Sequence, residues 1–385
     1  MTPEPSSPVS ESLRPAPQRK RARFHPLTVR DVRRLTEDSI EVTFAVPDEF
    51  ADNYDYEPGQ YVALRMTLNG RELRRSYSIC AVPVPGELRV AIKRDLGGEF
   101  STWANESLAP GAVIDVMSPQ GTFTTERVSD GAERAANRHY AAIAAGSGVT
   151  PIMSLARTIL RGSEHAQFSL IYSNRTANDV MFLEELAELK DAFPARFALY
   201  HVLTRERRAS DVLSGRLDAE RLGTFLEYLV RPGDVDEWFI CGPFELVQLV
   251  RDTLEEAGVD RHHVRFELFT TDRPDRPEGS VGRPVIVDEG DAVRKITFTL
   301  DGLTASINTP VHGRETILNA ALRVRPDVPF ACAGGVCGTC RAVLVDGTVT
   351  MDENYALEPE ELERGYILTC QSHPTSEAVT VNYDS

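Results

Sequence analysis

The 385-residue chain has no run of about 18 to 20 apolar residues, so a membrane-spanning helix is not expected. Its first 30 residues mix charges with prolines and contain no apolar stretch of signal-peptide type. The sequence therefore reads as that of a soluble, cytoplasmic protein. Cysteine is scarce: six in this length do not make a disulfide scaffold. Positive charge is in deficit, with 42 Lys and Arg against 58 Asp and Glu and a net charge of −16. That balance argues against nucleic acid, and fits either a neutral or basic protein partner or plain solubility. No internal repeat is visible, and at about 100 to 200 residues per domain the length implies two or three domains.

What is present is a grouping of four of the six cysteines. Cys332, Cys337, Cys340 and Cys370 are spaced C-x4-C-x2-C with the fourth after a further 29 residues. This is the ligand spacing of a plant-type [2Fe-2S] cluster. Four thiolates must converge on two irons, and three can come from one tight loop only if the backbone wraps closely. Gly334, Gly335 and Gly338 allow that approach, having no β-carbon and tolerating positive φ. A zinc site of four thiolates is the alternative, although zinc knuckles usually present paired C-x2-C spacings rather than C-x4-C in a glycine loop. Cys80 and Cys241 stand apart.

The rhythm of the chain changes along its length. Residues 1–22 are rich in Pro, Ser and Arg and read as a disordered tail. Across 23–128, short alternating runs such as "SIEVTFAV", "QYVALRMTL" and "ELRVAIKR" are separated by Pro58-Gly59, Asn69-Gly70 and Pro85-Gly86, which predicts a small antiparallel β-barrel. Across 139–270, apolar strand-length runs alternate with helical patterns such as "DVMFLEELAELKDAF", which predicts an α/β domain with a parallel sheet. Residues 271–292 read as a Pro-rich linker, and 293–385 as a further domain carrying the cysteine loop.

Several short motifs point to nucleotide chemistry. Gly146-Ser147-Gly148-Val149-Thr150-Pro151 follows the first strand of the α/β segment and opens a helix, with Thr150 expected as N-cap and Pro151 as first helical residue. Such a turn aims backbone N–H groups at a pyrophosphate, although the third position is Pro where the dinucleotide fingerprint has Gly. On a barrel strand, Arg75 can pair with phosphate and Tyr77 can stack on or edge a flavin ring in the run Arg75-Ser76-Tyr77-Ser78. Gly97-Gly98-Glu99-Phe100-Ser101 offers a helix start for a second pyrophosphate. Each alone is more simply an edge-strand Arg, a half-buried Tyr or a turn glycine.

Taken in order, R-x-Y-S, G-G-x-x-S, G-x-G-x-x-P and Cys241-Gly242-Pro243 resemble the ferredoxin-NADP reductase superfamily. By that resemblance Arg75, Tyr77 and Ser78 would bind FAD, and Gly97, Gly98 and Ser101 its phosphates. Gly146, Gly148, Thr150 and Pro151, with Gly242 and Pro243, would bind the nicotinamide nucleotide. Cys241 would lie near the nicotinamide or be a small buried hydrophobe, and Glu267 and Phe269 in "RFELF" would close the flavin face, unless Phe269 is simply core. The runs "HVLTRE", "GRLDAERL", "CGPFELV" and the cysteine segment are similar to reductase subunits of phenylacetyl-CoA epoxidases. The implied C-terminal unit is an α+β, β-grasp ferredoxin domain. The implied activity is a relay from NADPH through FAD and the [2Fe-2S] cluster to the oxygenase component of a multicomponent monooxygenase, a diiron enzyme that epoxidises phenylacetyl-CoA. A Rieske-type oxygenase of steroid or aromatic rings is the alternative partner, and a flavin-free iron-sulfur carrier or sensor the alternative of another class.

The choice of coenzyme rests on the strand ends. Ser173, Asn174 and Arg175 end the second strand of the α/β segment, where an acid would favour NAD; Arg175 there, with Thr204 and Arg205 after the third strand, favours NADPH with NADH still open. Asp352, Glu353, Glu358, Glu360, Glu361 and Glu363 lie between Cys340 and Cys370, as an acidic docking rim or as a solvated helix-starting face.

Overall fold

The structure, a computed structural model, describes residues 22–125, 138–208, 210–269, 292–313, 315–325, 327–330, 332–357 and 359–385. The expected tail and linker lie outside these residues, apart from Ala22 and Ala292.

Among the described residues three structural units form, each around its own buried cluster. The first is a six-stranded antiparallel sheet of β1 (Phe24–Thr36), β2 (Ser39–Ala45), β3 (Tyr61–Leu68), β4 (Arg71–Ser78), β5 (Glu87–Lys93) and β6 (Val113–Met117), in the order β4-β3-β6-β1-β2-β5. It closes where Ile79 bridges Val90 and the Cys80 N–H donates to the Arg89 carbonyl at 3.0 Å. Closure removes two free edges and encloses Leu27, Val42, Phe44, Val62, Leu64 and Val90. Helix α1 (Glu99–Ser107) packs Phe100 and Ala104 into that core.

The second unit is a five-stranded parallel sheet of β7 (His139–Ala145), β8 (Gln167–Asn174), β9 (Phe197–Leu203), β10 (Glu237–Gly242) and β11 (Val264–Leu268), in the order β11-β10-β7-β8-β9. The central strands are nearly continuous apolar runs because helices cover both faces. These are α2 (Val149–Gly162), α3 (Leu183–Ala192), α4 (Ala219–Tyr228) and α5 (Phe244–Glu256). The strand order reverses between β7 and β10, the place where open α/β sheets bind ligands beyond their strand C-termini.

Two expectations in this unit need correction. Thr150 is not the N-cap of α2: a 3-10 turn over Gly146–Gly148 runs directly into a helix starting at Val149, and the Thr150 hydroxyl donates back to the Ser147 carbonyl at 2.9 Å. Pro151 is therefore the third helical residue, still within the first turn, where its missing N–H costs nothing. The helical pattern from 179 begins only at Leu183, because Asp179 closes a capping box on Thr176 and Phe182 turns the chain with φ +60° to bury its ring.

The third unit pairs β12 (Val293–Leu300), β13 (Leu303–Pro310), β14 (Arg341–Asp346), β16 (Tyr366–Leu368) and β18 (Ala378–Asn382) in the order β13-β12-β18-β14-β16. A small ribbon of β15 (Val349–Met351) and β17 (Ser372–Pro374) stands beside it, with α6 (Ile317–Leu322) and α7 (Pro359–Glu363). Parallel β12 and β18 at the centre with α6 packed across them give the expected α+β arrangement. Among the described residues no helix is long and apolar enough to cross a membrane.

Candidate functional site

The first two units meet along a continuous apolar seam that includes Cys80, Ala91 and Phe123 of the barrel side and Leu155, Met153 and Phe239 of the α/β side. Polar ties reinforce it: the Ser154 hydroxyl donates to the Ala81 carbonyl at 2.6 Å, and Arg33 bridges Glu41 of the barrel to Glu185 of α3. Above the seam the strands part and leave a cleft of about 550 Å³. A cavity of that size suits a nucleotide-sized ligand.

One wall of the cleft comes from β4 and the α1 start, with Arg75, Ser76, Tyr77, Ser78, Gly98 and Ser101. Lys93 and Arg94 add positive charge there. The Ser101 hydroxyl accepts the Asp95 N–H at 3.0 Å and donates to the Gly98 carbonyl at 3.3 Å, holding the turn against the helix start. Tyr77 packs on Phe100 with ring centroids 5.8 Å apart, which fixes its ring at the cleft margin. The other wall is the strand ends: Gly146, Ser147 and Thr150 after β7, Ser173 and Asn174 at the end of β8 with Arg175 just beyond, Thr204 after β9, and Gly242 ending β10 with Pro243 after it. Gly148 must be glycine, since a β-carbon would lie 2.2 Å from the Cys241 carbonyl oxygen. The turn thus presses on β10 and draws both phosphate-side loops together.

At the closed end of the cleft, Ser78 reaches across from the barrel. Its hydroxyl donates to the Glu267 carboxyl of β11 at 2.9 Å, and the Cys241 thiol approaches the same oxygen at 3.9 Å. Burial pushes the Glu267 carboxyl up to about 7, opposed by these two hydrogen bonds and assisted by nearby Cys337. Burial, then the charge of Glu267, also raises the Cys241 thiol, which stays protonated at neutral pH.

Two further polar groups facing the cleft have no hydrogen-bond partner of good geometry among the described residues: the Ser76 hydroxyl and the side-chain amide of Asn174. Buried polar atoms left open in this way are what a bound polar ligand satisfies. The donor set fits a flavin nucleotide on the barrel wall and a pyridine nucleotide on the strand ends.

The cysteine loop docks beside the same strands. Cys332 faces Cys337 and Cys370 faces Cys340, and Cys332 and Cys370 each also feel a further thiol of the set, Cys370 and Cys337 respectively. Among the described residues no three His, Cys, Asp or Glu side chains converge as ligands of a single ion. Two facing pairs are what a two-iron cluster needs, one pair for each iron. Hydrogen bonds from Cys332 and Thr339 lower the Cys337 thiol, whereas Cys332 and Cys370 are raised by their pair partners and by burial. So close a set becomes thiolate together only with cations among the sulfurs, and the pocket fits the iron cluster in that respect. Gly335 and Gly338 have the expected positive φ, +80° and +67°, but Gly334 does not; Ala333 takes the left-handed place at +51°.

Of the residues expected at the site, the cleft brings together Arg75, Tyr77, Ser78, Gly98, Ser101, Gly146, Thr150, Ser173, Arg175, Thr204, Gly242, Pro243 and Phe269. Gly97, Gly148, Pro151, Arg205, Cys241 and Glu267 stand behind or beside it rather than in its lining. Arg175 is not the free cation that its sequence position suggests, because it pairs with Asp38 of the barrel at 3.1 Å and with Asp179 at 2.5 Å. Two of the acidic-rim residues are already engaged, Glu361 buried against Arg341 and Asp352 bonded to His373 at 2.9 Å; Glu358 lies outside the described residues. Sequence reading missed Ser76 and Asn174, although each sits inside a run already singled out. It also missed Asp179, an acid only four residues after Arg175, and Asp38, whose pairing with Arg175 across 137 residues has no local signal.

Comparison with known proteins matches the three units in turn. The oxidoreductase FAD-binding domain family matches residues 26–125, the oxidoreductase NAD-binding domain family 142–252, and the 2Fe-2S iron-sulfur cluster binding domain family 298–375. The chain is 41% identical to one of the subunits of 1,2-phenylacetyl-CoA epoxidase of Escherichia coli (strain K12), over 94% of this chain and 98% of that one. It is 30% identical to the ferredoxin reductase component of 3-ketosteroid-9-alpha-monooxygenase from Rhodococcus rhodochrous, over 93% and 96% of the two chains. Phthalate dioxygenase reductase has the same fold, with a TM-score of 0.57 at 21% identity, covering 93% of this chain and 98% of that one.

Proposed function

This chain belongs to the family of FAD-, NAD(P)- and [2Fe-2S]-binding reductases of multicomponent monooxygenases, and we propose that it carries electrons from NADPH to a diiron oxygenase that epoxidises phenylacetyl-CoA. The observation that carries the reading is the meeting of three elements at one point: the flavin strand β4, the strand ends of the α/β sheet, and the Cys337 loop. When bound, the flavin takes a hydride from the nicotinamide and parts with its electrons singly, and the cluster carries them one at a time.

The chain's own residues have separable tasks. Arg75, Lys93 and Arg94 offer charge and the turn at Gly97 and Gly98 offers backbone donors to the flavin phosphates, the Ser101 hydroxyl holding that turn in place. Tyr77 lies at the margin against the ring. Gly146, Gly148, Thr150 and Pro151 hold the nicotinamide pyrophosphate at the α2 N-terminus, with Gly242 and Pro243 opposite. Ser78 and Glu267 hold a proton between them where β4 meets β11, and Ser78 would present it to the bound cofactors. Cys241 steadies Glu267 through its S–H, and Phe269, which lines the cleft, would shield a bound flavin from water. Cys332, Cys337, Cys340 and Cys370 are the iron ligands.

NADPH is the preferred coenzyme in this reading. Thr204 and Arg205 follow the neighbouring strand end, the Arg205 N–H donating to the Arg175 carbonyl at 2.8 Å, and a 2′-phosphate would take over the Arg175 guanidinium from Asp38 and Asp179. Replacing Arg175 and Arg205 together by Ala is expected to raise the KM for NADPH about tenfold while that for NADH changes less than twofold, since a charge-assisted hydrogen bond is worth ~1.5–3 kcal/mol. Steady-state dye reduction with each coenzyme checks this. An equal rise for both would make the arginines structural.

The partner is tested with purified components under anaerobic and then aerobic conditions. NADPH should bleach both flavin and cluster bands, and addition of the diiron oxygenase subunits with phenylacetyl-CoA should give substrate-dependent NADPH oxidation. Turnover with a Rieske-type oxygenase and none with the diiron enzyme would move the assignment to the second reading, which the 30% identity to the ketosteroid enzyme's reductase favours.

A further inference from the structure

Tyr61, the first residue of β3, lines no part of the cleft, yet its hydroxyl leaves the barrel for the third unit. The side chain is 5% exposed. It donates to the main-chain carbonyl of Cys337 and lies 2.7 Å from the Thr339 hydroxyl. With one phenolic proton, committed to the carbonyl, Tyr61 accepts from Thr339. Thr339 is itself tied to the Cys337 sulfur, through its N–H at 3.4 Å and with its hydroxyl oxygen 3.1 Å from Sγ.

On the barrel side Tyr61 is the antiparallel register partner of Ser78. Partners of this kind have α-carbons ~4.5–5.5 Å apart and side chains on one face of the sheet. Ser78 bonds Glu267, whose carboxyl in turn feels Cys337. Two lines from the flavin strands therefore converge on one cluster ligand, one through Tyr61 and one through Ser78 and Glu267.

We infer that Tyr61 is a positioning residue that pins the Cys337–Thr339 side of the cluster loop to the flavin strand pair and so sets the rate of electron transfer from flavin to cluster. The inference rests on the relay proposed above. The step it serves moves one electron from reduced flavin to a ferric iron, with no bond formed or broken. Other contacts hold the module as a whole: Arg74 stacks on Phe330 at 4.2 Å, and Phe244 meets Tyr355 edge-on at 5.8 Å. Loss of the hydroxyl should loosen the loop locally and leave the domain docked.

The test uses the full-length holoprotein with Tyr61→Phe, Thr339→Val and the double variant. In stopped-flow, NADPH should reduce the flavin of Tyr61→Phe at the wild-type rate, and the following reduction of the cluster should slow about tenfold, the factor that corresponds to ~1.4 kcal/mol for one buried hydrogen bond. Thr339→Val should slow the same phase, and the double variant should be slowed by less than the product of the two single effects, because the Tyr61–Thr339 bond they share is lost only once. Amide exchange at Thr339 and Arg341 should quicken in Tyr61→Phe while the β12 and β18 amides keep wild-type protection. A cluster phase within twofold of wild type in both single variants, with unchanged exchange, overturns the pin. A wild-type protein whose flavin NADPH reduces but whose cluster stays oxidised overturns the relay instead, and the exchange measurement then still decides whether Tyr61 holds the loop.

Discussion

Cys337→Ser is expected to abolish cytochrome reduction by NADPH while NADPH-dependent reduction of a flavin-accepting dye stays within about twofold of wild type. A serine hydroxyl does not ionise at neutral pH as a thiolate does, so one iron loses a ligand and the cluster is lost or destabilised. The hydride site stays intact because the cleft is lined by β4, the α1 start and the strand ends of the α/β sheet, none of which belongs to the third unit. Cys337 is a cleaner choice than Cys340. The Cys340 side chain is buried in the core of the third unit with Leu318, Ala342 and Leu368, so Cys340→Ser places a hydroxyl in apolar surroundings at a cost of ~1–3 kcal/mol. Cys337 is partly exposed, and its main-chain carbonyl keeps its Tyr61 bond whatever the side chain. Iron content, visible spectrum and the two activities are measured side by side. Loss of dye reduction with FAD still bound would count against separate sites for hydride and cluster.

The division into three units was legible because each type of sheet writes its own period. Most barrel strands are short and separated by Pro-Gly and Asn-Gly turns, and "HYAAIAA" is apolar after its first residue because β7 is covered on both faces. Boundaries were less legible where side chains compete with the helix. "DVMFLEEL" has a helical pattern from Asp179, but that carboxylate caps Thr176, and the helix waits until Leu183. The chemistry within each loop was legible from spacing, above all at the cysteines. What joins the loops was not. Arg175 finds Asp38, which is 137 residues away, and Tyr61 finds Cys337 and Thr339 across 276 and 278 residues. Such pairs follow from how three sheets dock, and no local period encodes them. Their consequence is structural: Arg175 is already paired with Asp38 and Asp179, and the cysteine loop is tied to β3 through Tyr61.

Glu267→Gln is expected to slow NADPH-dependent dye reduction about 100-fold and to remove an inflection near pH 7 from its pH profile, as loss of a positioned proton carrier costs ~10²–10⁴ in rate. Gln keeps the shape and can still accept from Ser78 and Cys241, but it neither takes up nor releases a proton in this range. The wild-type carboxyl does, because burial pushes it up to about 7. The same shift fixes a sign for stability. A carboxyl raised in the folded state binds its proton more tightly there than in the unfolded chain, so its contribution is fully present below the ordinary carboxylate range and declines as pH rises through about 7. In Glu267→Gln that decline should vanish, and denaturant midpoints across pH 5 to 8 should run flatter than in wild type. The two measurements separate roles. A purely structural carboxyl would flatten the stability profile and leave the rate and its inflection near pH 7 untouched. A proton carrier changes both, and Ser78→Ala should then reproduce most of the rate loss while keeping the stability slope, because Glu267 remains buried without its partner hydroxyl. If Glu267→Gln reduces dye at the wild-type rate with the inflection intact, the proton at this edge is held by another group, and Ser78 and Glu267 serve only to join the barrel to the parallel sheet.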